Sequence, residues 1–219
     1  MFTGIITEVG GLHAVRHRAG VTVVHVDAPA IAAGLGIGDS VAVNGVCLTV
    51  TGLVGARFSA DLSPETIRTT TARRWRAGDR VHLEASLRAS DPLGGHFVLG
   101  HVDAVGRVER TARLGEARQV TVGAPAAVLA QLLPKGSIAV DGVSLTLDQG
   151  PFVRSFTTTL IPETLRSTRL SALRPGDLVN LEVDVLAKAG RRHAAEGRGP
   201  QIERRTALTV PDIRKYGWQ

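Results

Sequence analysis

Cys47 and Thr49 stand two residues apart in an apolar, β-branched run, and Ser144 and Thr146 stand two apart in another. Side chains two apart along a strand point to the same side. Each pair therefore sets a thiol or a hydroxyl beside a threonine hydroxyl on one face. A thiol or serine hydroxyl becomes a nucleophile once a neighbouring base or positive charge takes up its proton. Three residues before each of them stands another polar group, Asn44 and Asp141, read here as aimed into two related pockets. The plainer reading weighs about equally: a buried cysteine packs as a small hydrophobe, and threonines are ordinary strand formers.

Histidines supply the proton chemistry that such pockets would need near neutral pH. His96 follows Gly94-Gly95, and His101 is two residues from Asp103. On a straight strand, His96 and His101 fall on opposite faces, whereas His101 and Asp103 share one. The two histidines therefore do not make a metal pair, and no third ligand set has metal spacing. For most of the seven histidines a surface or capping place is the expectation.

The elements that must position these groups occur twice. Val41-Ala42-Val43-Asn44-Gly45-Val46-Cys47-Leu48-Thr49 returns as Ile138-Ala139-Val140-Asp141-Gly142-Val143-Ser144-Leu145-Thr146, a displacement of 97 (141 − 44). Pro64-Glu65-Thr66-Ile67-Arg68 returns as Pro162-Glu163-Thr164-Leu165-Arg166, displaced by 98 (162 − 64). Gly78 to Glu84 returns as Gly176 to Glu182 by the same 98 (176 − 78). A repeat of this length is a domain, not a solenoid unit. Asn44-Gly45 and Asp141-Gly142 lie between apolar runs and predict two-residue hairpins, since a type I′ turn needs positive φ at both centres. Short strands with frequent turn signals predict a small antiparallel barrel in each half. One short helix is expected in each half, at Pro64 behind the N-cap Ser63 and at Pro162 without such a cap. A further alanine-rich helix is expected within Ala124 to Leu133.

Composition excludes several classes. No apolar run reaches membrane-spanning length. The start, Met1-Phe2-Thr3-Gly4-Ile5-Ile6, has no basic leader or cleavage signal, which predicts a cytoplasmic protein. One cysteine allows neither an internal disulfide nor a multi-cysteine metal site. The net charge of +6 suits a polyanion, but aromatics make up 4% of the chain, too few for a base-stacking surface. No nucleic-acid partner is expected.

Taken together, Met1 to Ile6, Asn44 to Thr51, Pro64 to Thr66, Gly94 to Asp103, Lys135 to Thr146 and Asn180 to Asp184 resemble riboflavin synthase of the alpha-chain type, in the right order over residues 1–188. The resemblance implies an all-β fold of two tandem, similar six-stranded Greek-key barrels, with a C-terminal tail or helix. Residues 1–95 would form the first barrel, 96–187 the second and 188–219 the tail. It implies dismutation of two molecules of 6,7-dimethyl-8-ribityllumazine to riboflavin and 5-amino-6-(ribitylamino)uracil, without metal or redox cofactor. It also implies a homotrimer, and brings in lumazine synthase as a candidate partner.

Site residues follow from the same resemblance. Phe2, Ser40, Cys47 and His101 match the catalytic candidates, with His101 for proton transfer and Cys47 or Ser40 for the addition step. The first pocket would use Gly4, Ile5, Ile6, Cys47, Leu48, Thr49, Asp61, Leu62, Ser63, Pro64, Glu65 and Thr66. The second would use Lys135, Ser144, Leu145, Thr146, Thr159, Leu160, Ile161, Pro162, Glu163 and Thr164, with Asp141 and Asp184 as its acids. Gly100, His101 and Val102 open the second repeat and match the binding segment there. The alternative is a non-catalytic lumazine or flavin carrier, which would lack some of these side chains. The tail departs from the family: after Lys188 the chain turns to Gly, Ala and Arg, and no stable amphipathic helix is expected over 189–200.

Overall fold

The computed structural model describes residues 1–18 and 21–195. Among the described residues, twelve strands form two sheets of like topology. In the first, β1 (Glu8–Arg18), β2 (Val21–Asp27), β3 (Ser40–Val43), β4 (Val46–Val54), β5 (Arg57–Leu62) and β6 (Arg80–Ala85) close into a barrel of order β1-β2-β5-β4-β3-β6. The β3-β4-β5 meander with β6 returned beside β3 is a Greek key. The second sheet takes β7 (Ala104–Leu114), β8 (Ala117–Gly123), β9 (Ser137–Val140), β10 (Val143–Thr146), β11 (Ser155–Leu160) and β12 (Leu178–Val183) in the order β10-β9-β12-β7-β8-β11. The duplication read from the sequence is therefore a duplication of architecture. One rung differs. Where β4 pairs with β5 along a ladder, β10 and β11 form none and are joined by the isolated Leu147–Thr158 bridge and by Thr158 Oγ1, which donates to Thr146 O. Asp148-Gln149-Gly150-Pro151 occupies the stretch that would extend β10, and proline has no N–H for a ladder.

Each sheet encloses its own apolar core, and the two cores hold matching residues. Phe58 and Phe156 (156 − 58 = 98) are both sealed, at 0% and 1% exposure. Truncating either to alanine would cost about 3–5 kcal/mol by the usual cavity penalty. The hairpin turns form as the dipeptides predict, with φ of 46° and 75° at Asn44-Gly45 and 45° and 80° at Asp141-Gly142. The two tips touch. A Cβ on Gly45 would sit 2.6 Å from Gly142 N, and one on Gly142 2.7 Å from Gly45 N. Helix α1 (Pro64–Thr69) is capped by Ser63 Oγ, which accepts from Thr66 N at 3.0 Å. Helix α2 is one turn, Ala126–Leu129. Helix α3 (Pro162–Ser167) lacks a side-chain cap, as expected.

The tail corrects an expectation. A helix, α4, runs from Val185 to Ala195. Asp184 Oδ1 accepts from Leu186 N at its start, alanines favour the helix, and Arg192 and His193 suit its C-terminal dipole. The apolar residues expected further on, from Ile202 to Trp218, lie outside the described residues.

The barrels join through a buried polar lattice with twofold-like order. Asn44 Oδ1 accepts from His82 N, and Asp141 Oδ1 accepts from Asn180 N, both at 2.8 Å. The Oδ1 of each turn side chain thus folds back onto the strand beside it, and both residues border one cleft with Thr71 and Arg169 rather than two separate pockets. Asn180 then reaches across, donating from Nδ2 to Asn44 O and accepting Thr71 N at Oδ1, both at 2.8 Å. His82, its counterpart, does the same with a ring. Nδ1 donates to Asp141 O at 2.8 Å, and Nε2 accepts from Arg169 N at 2.9 Å. A carbonyl only accepts and an N–H only donates, so this imidazole is the neutral Nδ1–H tautomer. Burial, aided by Arg169, lowers its pKa to about 3. Burial also raises Asp141 to about 6, opposed by Arg169 at 3.7 Å, and raises Glu182 of β12 to about 7.

These shifts act in opposite senses. His82, depressed from 6.5 to about 3, contributes stability that is full above 6.5 and lost as pH falls. Asp141 and Glu182, raised from 3.8 and 4.5, contribute more as pH falls through about 6 and 7. Replacing His82 by asparagine, as at position 180, removes only the first. Between pH 6.5 and 4.5 the H82N protein should gain stability relative to the parent by about 1.4 kcal/mol per pH unit. Urea denaturation across that range measures it; a constant difference would contradict a buried neutral imidazole.

Candidate functional site

The local chemistry is laid out on two equivalent faces. On the first, Ser40 pairs with Thr49 and Ala42 with Cys47 across β3 and β4. Opposed residues share a side of a sheet, so Ser40, Cys47 and Thr49 stand together. Cys47 is half-buried, Thr49 exposed, and Leu48 points into the core. Asp61 and Leu62 end β5 and lead through Ser63 into α1, where Glu65 is paired with Arg68 at 2.7 Å and Thr66 receives the cap. On the second face the same pairing joins Ser137 to Thr146 and Ala139 to Ser144. Leu145 and Leu160 point into the core, Thr159 bonds Asp148, and Ile161, Pro162, Glu163 and Thr164 begin α3. Ser167 and Arg166 bind Glu163 and hold its carboxyl below the usual range. Lys135 is exposed at positive φ (63°) in the turn before β9, with no ion pair among the described residues.

Each face is completed by a segment that belongs, by sequence, to the other barrel. Gly4 O accepts from Ser144 N at 2.8 Å, and Ile6 packs against the second core. Gly100 O accepts from Cys47 N at 2.9 Å, and Val102 packs against the first core. Gly4, Ile5 and Ile6 therefore stand on the second face, and Gly100, His101 and Val102 on the first, the reverse of the sequence expectation. The two segments cross where Phe2 and Val98 form an antiparallel bridge. Phe2 is 0% exposed and packs with Ala42, Val98 and Ala139. It is accordingly a packing residue at the crossing, not a side chain presented to a ligand. Asp141 is likewise withdrawn into the lattice between the barrels, 1% exposed.

Crossing places one histidine near each nucleophile-type residue. His101, exposed, follows the carbonyl that Cys47 N binds. Asp103 does not share its task, because its carboxylate takes Val183 N at 2.8 Å and Lys188 Nζ at 2.7 Å. On the second face, His96 Nδ1 lies 2.7 Å from Ser144 Oγ, and His96 N donates to Thr3 O. His96 is 8% exposed, and its Nε2 has no hydrogen-bond partner among the described residues. Burial lowers its pKa, opposed by the charge of Asp184, which also caps α4. A neutral imidazole against a serine hydroxyl is the arrangement that activates a nucleophile or relays a proton. The sequence singles out His96, after Gly94-Gly95, as a histidine suited to proton transfer, but does not place it among the site residues. Its signal was the Gly94-Gly95 before it: a Cβ on Gly95 would lie 2.2 Å from Thr3 O and 2.9 Å from Ser144 Cβ.

The geometry defines a two-repeat barrel protein with paired half-sites, and comparison gives the class. A profile of the lumazine binding domain matches residues 3–86 and 99–184. The chain is 36% identical over 219 residues to riboflavin synthase of Photobacterium leiognathi, covering 100% of this chain and 99% of that one. It is 42% identical over 194 residues to riboflavin synthase of Mycobacterium tuberculosis, covering 86% and 95%. A LumP structure complexed with riboflavin superposes with a TM-score of 0.77 at 24% identity, over 84% of this chain and 99% of that one. Another, with 6,7-dimethyl-8-(1'-D-ribityl)lumazine, gives 0.75 at 23%, over the same shares. The chain belongs to the lumazine-binding family and, within it, to the riboflavin synthases.

Gly4 and Gly100 tie each crossing segment to its face. Both have φ of 76°, and a Cβ would lie 2.7 Å from Ser144 Cβ and 2.6 Å from Cys47 Cβ respectively. G4A and G100A should each lose about 2 kcal/mol or more, from strain and overlap together. G11A, with nothing within 4 Å of its Cβ, should stay within about 0.5 kcal/mol. Denaturant melts of the three proteins compare them directly.

Proposed function

We propose that this protein is a riboflavin synthase, converting two molecules of 6,7-dimethyl-8-ribityllumazine into riboflavin and 5-amino-6-(ribitylamino)uracil. The observation that carries the reading is the duplicated half-site: two faces of one architecture suit a reaction between two copies of one molecule. The first face offers a thiol and hydroxyls, and the second offers hydroxyls, for a polar ring edge, with backbone of a crossing segment beside them. Fixing two substrates in register removes several kcal/mol of barrier otherwise set by encounter and orientation.

The reaction needs a proton taken from the 7-methyl group of one lumazine and an addition at C7 of the other. His96 with Ser144 serves proton transfer on the second face, since its imidazole is held neutral and bonded to the hydroxyl. Cys47, with Ser40 beside it and His101 on the adjoining segment, serves the addition on the first face. Phe2 supports this arrangement from beneath, and Lys135 and Asp184 flank the second face. The four-carbon unit leaves one ring system and joins the other, so atoms and electrons balance between the two substrates without an external oxidant.

The half-sites lie open. Ile5 and Ile161 on the second face are 52% and 58% exposed. We propose that the first face of one chain covers the second face of another in a homotrimer. The proposal carries with it a cytoplasmic location, and lumazine synthase as a partner that rests on the family resemblance.

Incubation with 6,7-dimethyl-8-ribityllumazine alone should yield one riboflavin per two lumazines consumed, followed by absorbance. Tight binding without turnover would instead identify a carrier. H96Q and S144A should each lower kcat by about 10²–10⁴-fold, the usual range for a lost proton-transfer group. Unchanged turnover in either would remove the second-face dyad from the mechanism.

A further inference from the structure

Glu84 and Glu182 occupy equivalent places at the ends of β6 and β12 (182 − 84 = 98), buried at 5% and 4% exposure. A carboxylate in an apolar strand is costly unless donors surround it. The donors here come from the crossing segments. Glu84 Oε1 accepts from Thr3 N at 2.6 Å and Thr3 Oγ1 at 2.7 Å, and Oε2 accepts from Gly4 N at 3.0 Å. Thr3 Oγ1 in turn accepts from Ile5 N at 3.1 Å. Glu182 Oε1 accepts from Leu99 N at 2.6 Å, while the Gly100 N–H approaches the carboxylate without completing a hydrogen bond to Oε2. Leucine stands at 99 where the first repeat has Thr3, so the second clamp lacks the hydroxyl.

We infer that Glu84 and Glu182 are positioning residues that act crosswise: Glu84, in the first barrel, sets the second half-site through Thr3-Gly4-Ile5, and Glu182, in the second barrel, sets the first half-site through Leu99-Gly100-His101. The crossing forces this. Gly4 O is bound to Ser144 N and Thr3 O to His96 N, so a shift of Thr3-Gly4 reaches the His96–Ser144 pair. Gly100 O is bound to Cys47 N, so a shift of Leu99-Gly100 reaches Cys47 and carries His101 with it. The clamps are also unequal. Three donors use both oxygens of Glu84, which a Gln cannot reproduce, because its Nε2 does not accept. Gln at 182 keeps the short Leu99 bond through Oε1 and gives up only the weaker approach of the Gly100 N–H.

The inference rests on the riboflavin synthase reading for its kinetic consequence, but its geometry is testable without substrate. Cys47 is the only cysteine, so its alkylation rate by iodoacetamide reports the first face. The imidazole ¹⁵N shifts of His96 report the second. E84Q should move the His96 shifts and leave Cys47 alkylation within twofold. E182Q should change the alkylation rate and leave the His96 shifts in place, with the smaller disturbance of the two. With lumazine, E84Q should lower kcat about tenfold or more, with a smaller change in KM. Thr3→Val removes only the hydroxyl from the first clamp; it should reproduce the His96 shift at reduced size, and it stands in for E84Q should that protein fail to fold. Effects confined to the barrel that carries each substitution, equal effects on both faces, or none on either would overturn the inference. Loss of turnover in the parent protein would sink the reaction assignment and leave the thiol and imidazole readouts to judge the clamps.

Discussion

Two side chains, His82 and Asn180, fasten the two barrels to each other through buried hydrogen bonds. Each is buried at 1% exposure, and each meets a carbonyl and an N–H on the opposite barrel. A buried polar group left unpaired costs on the order of 1–3 kcal/mol, so any slippage between the barrels would strand several at once. The lattice therefore selects one relative placement. That placement brings the tips at Gly45 and Gly142 into contact and lets Phe2 meet Val98. From that bridge follow the exchange of the two segments and the make-up of both faces.

The exchange explains why a duplicated chain is not merely two binding modules on a string. Cys47 and Ser144 each have their backbone N–H bound by a carbonyl from the other repeat. Neither barrel, folded by itself from its own strands, would carry a complete half-site. Binding at one face and the integrity of the other barrel are linked through covalent continuity, and fixed geometry is what the proposed reaction requires.

Symmetry is broken where function divides. The strand scaffold, the turns and the helix prolines recur, but Cys47 becomes Ser144, Thr3 becomes Leu99, and His82 becomes Asn180. The first face sets a thiol beside an exposed histidine. The second seals its histidine against a hydroxyl. Burial keeps His96 neutral, and burial with Arg169 nearby keeps His82 neutral for a different end, as a two-sided hydrogen-bonding strut. The same ring serves either purpose because its nitrogens are a donor and an acceptor when uncharged.

Much of this was legible in the chain. The turn dipeptides, the Ser63 cap and the displacement of 97 or 98 determine local conformation and duplication, because they depend on neighbours a few residues apart. The same-face placement of Cys47 with Thr49 and of Ser144 with Thr146 follows from strand period alone. What the sequence could not say is which barrel each crossing segment serves, since that depends on contacts between residues 53 and 140 positions apart (100 − 47; 144 − 4). For the same reason Asn44, Asp141 and Phe2 read as site residues and are lattice and packing residues, His96 was legible only as a histidine suited to proton transfer, and Glu84 and Glu182 carried no visible role. A residue's type limits what it can do; only the tertiary structure decides what it faces, because burial and hydrogen-bond partners are properties of the neighbours the fold brings to it.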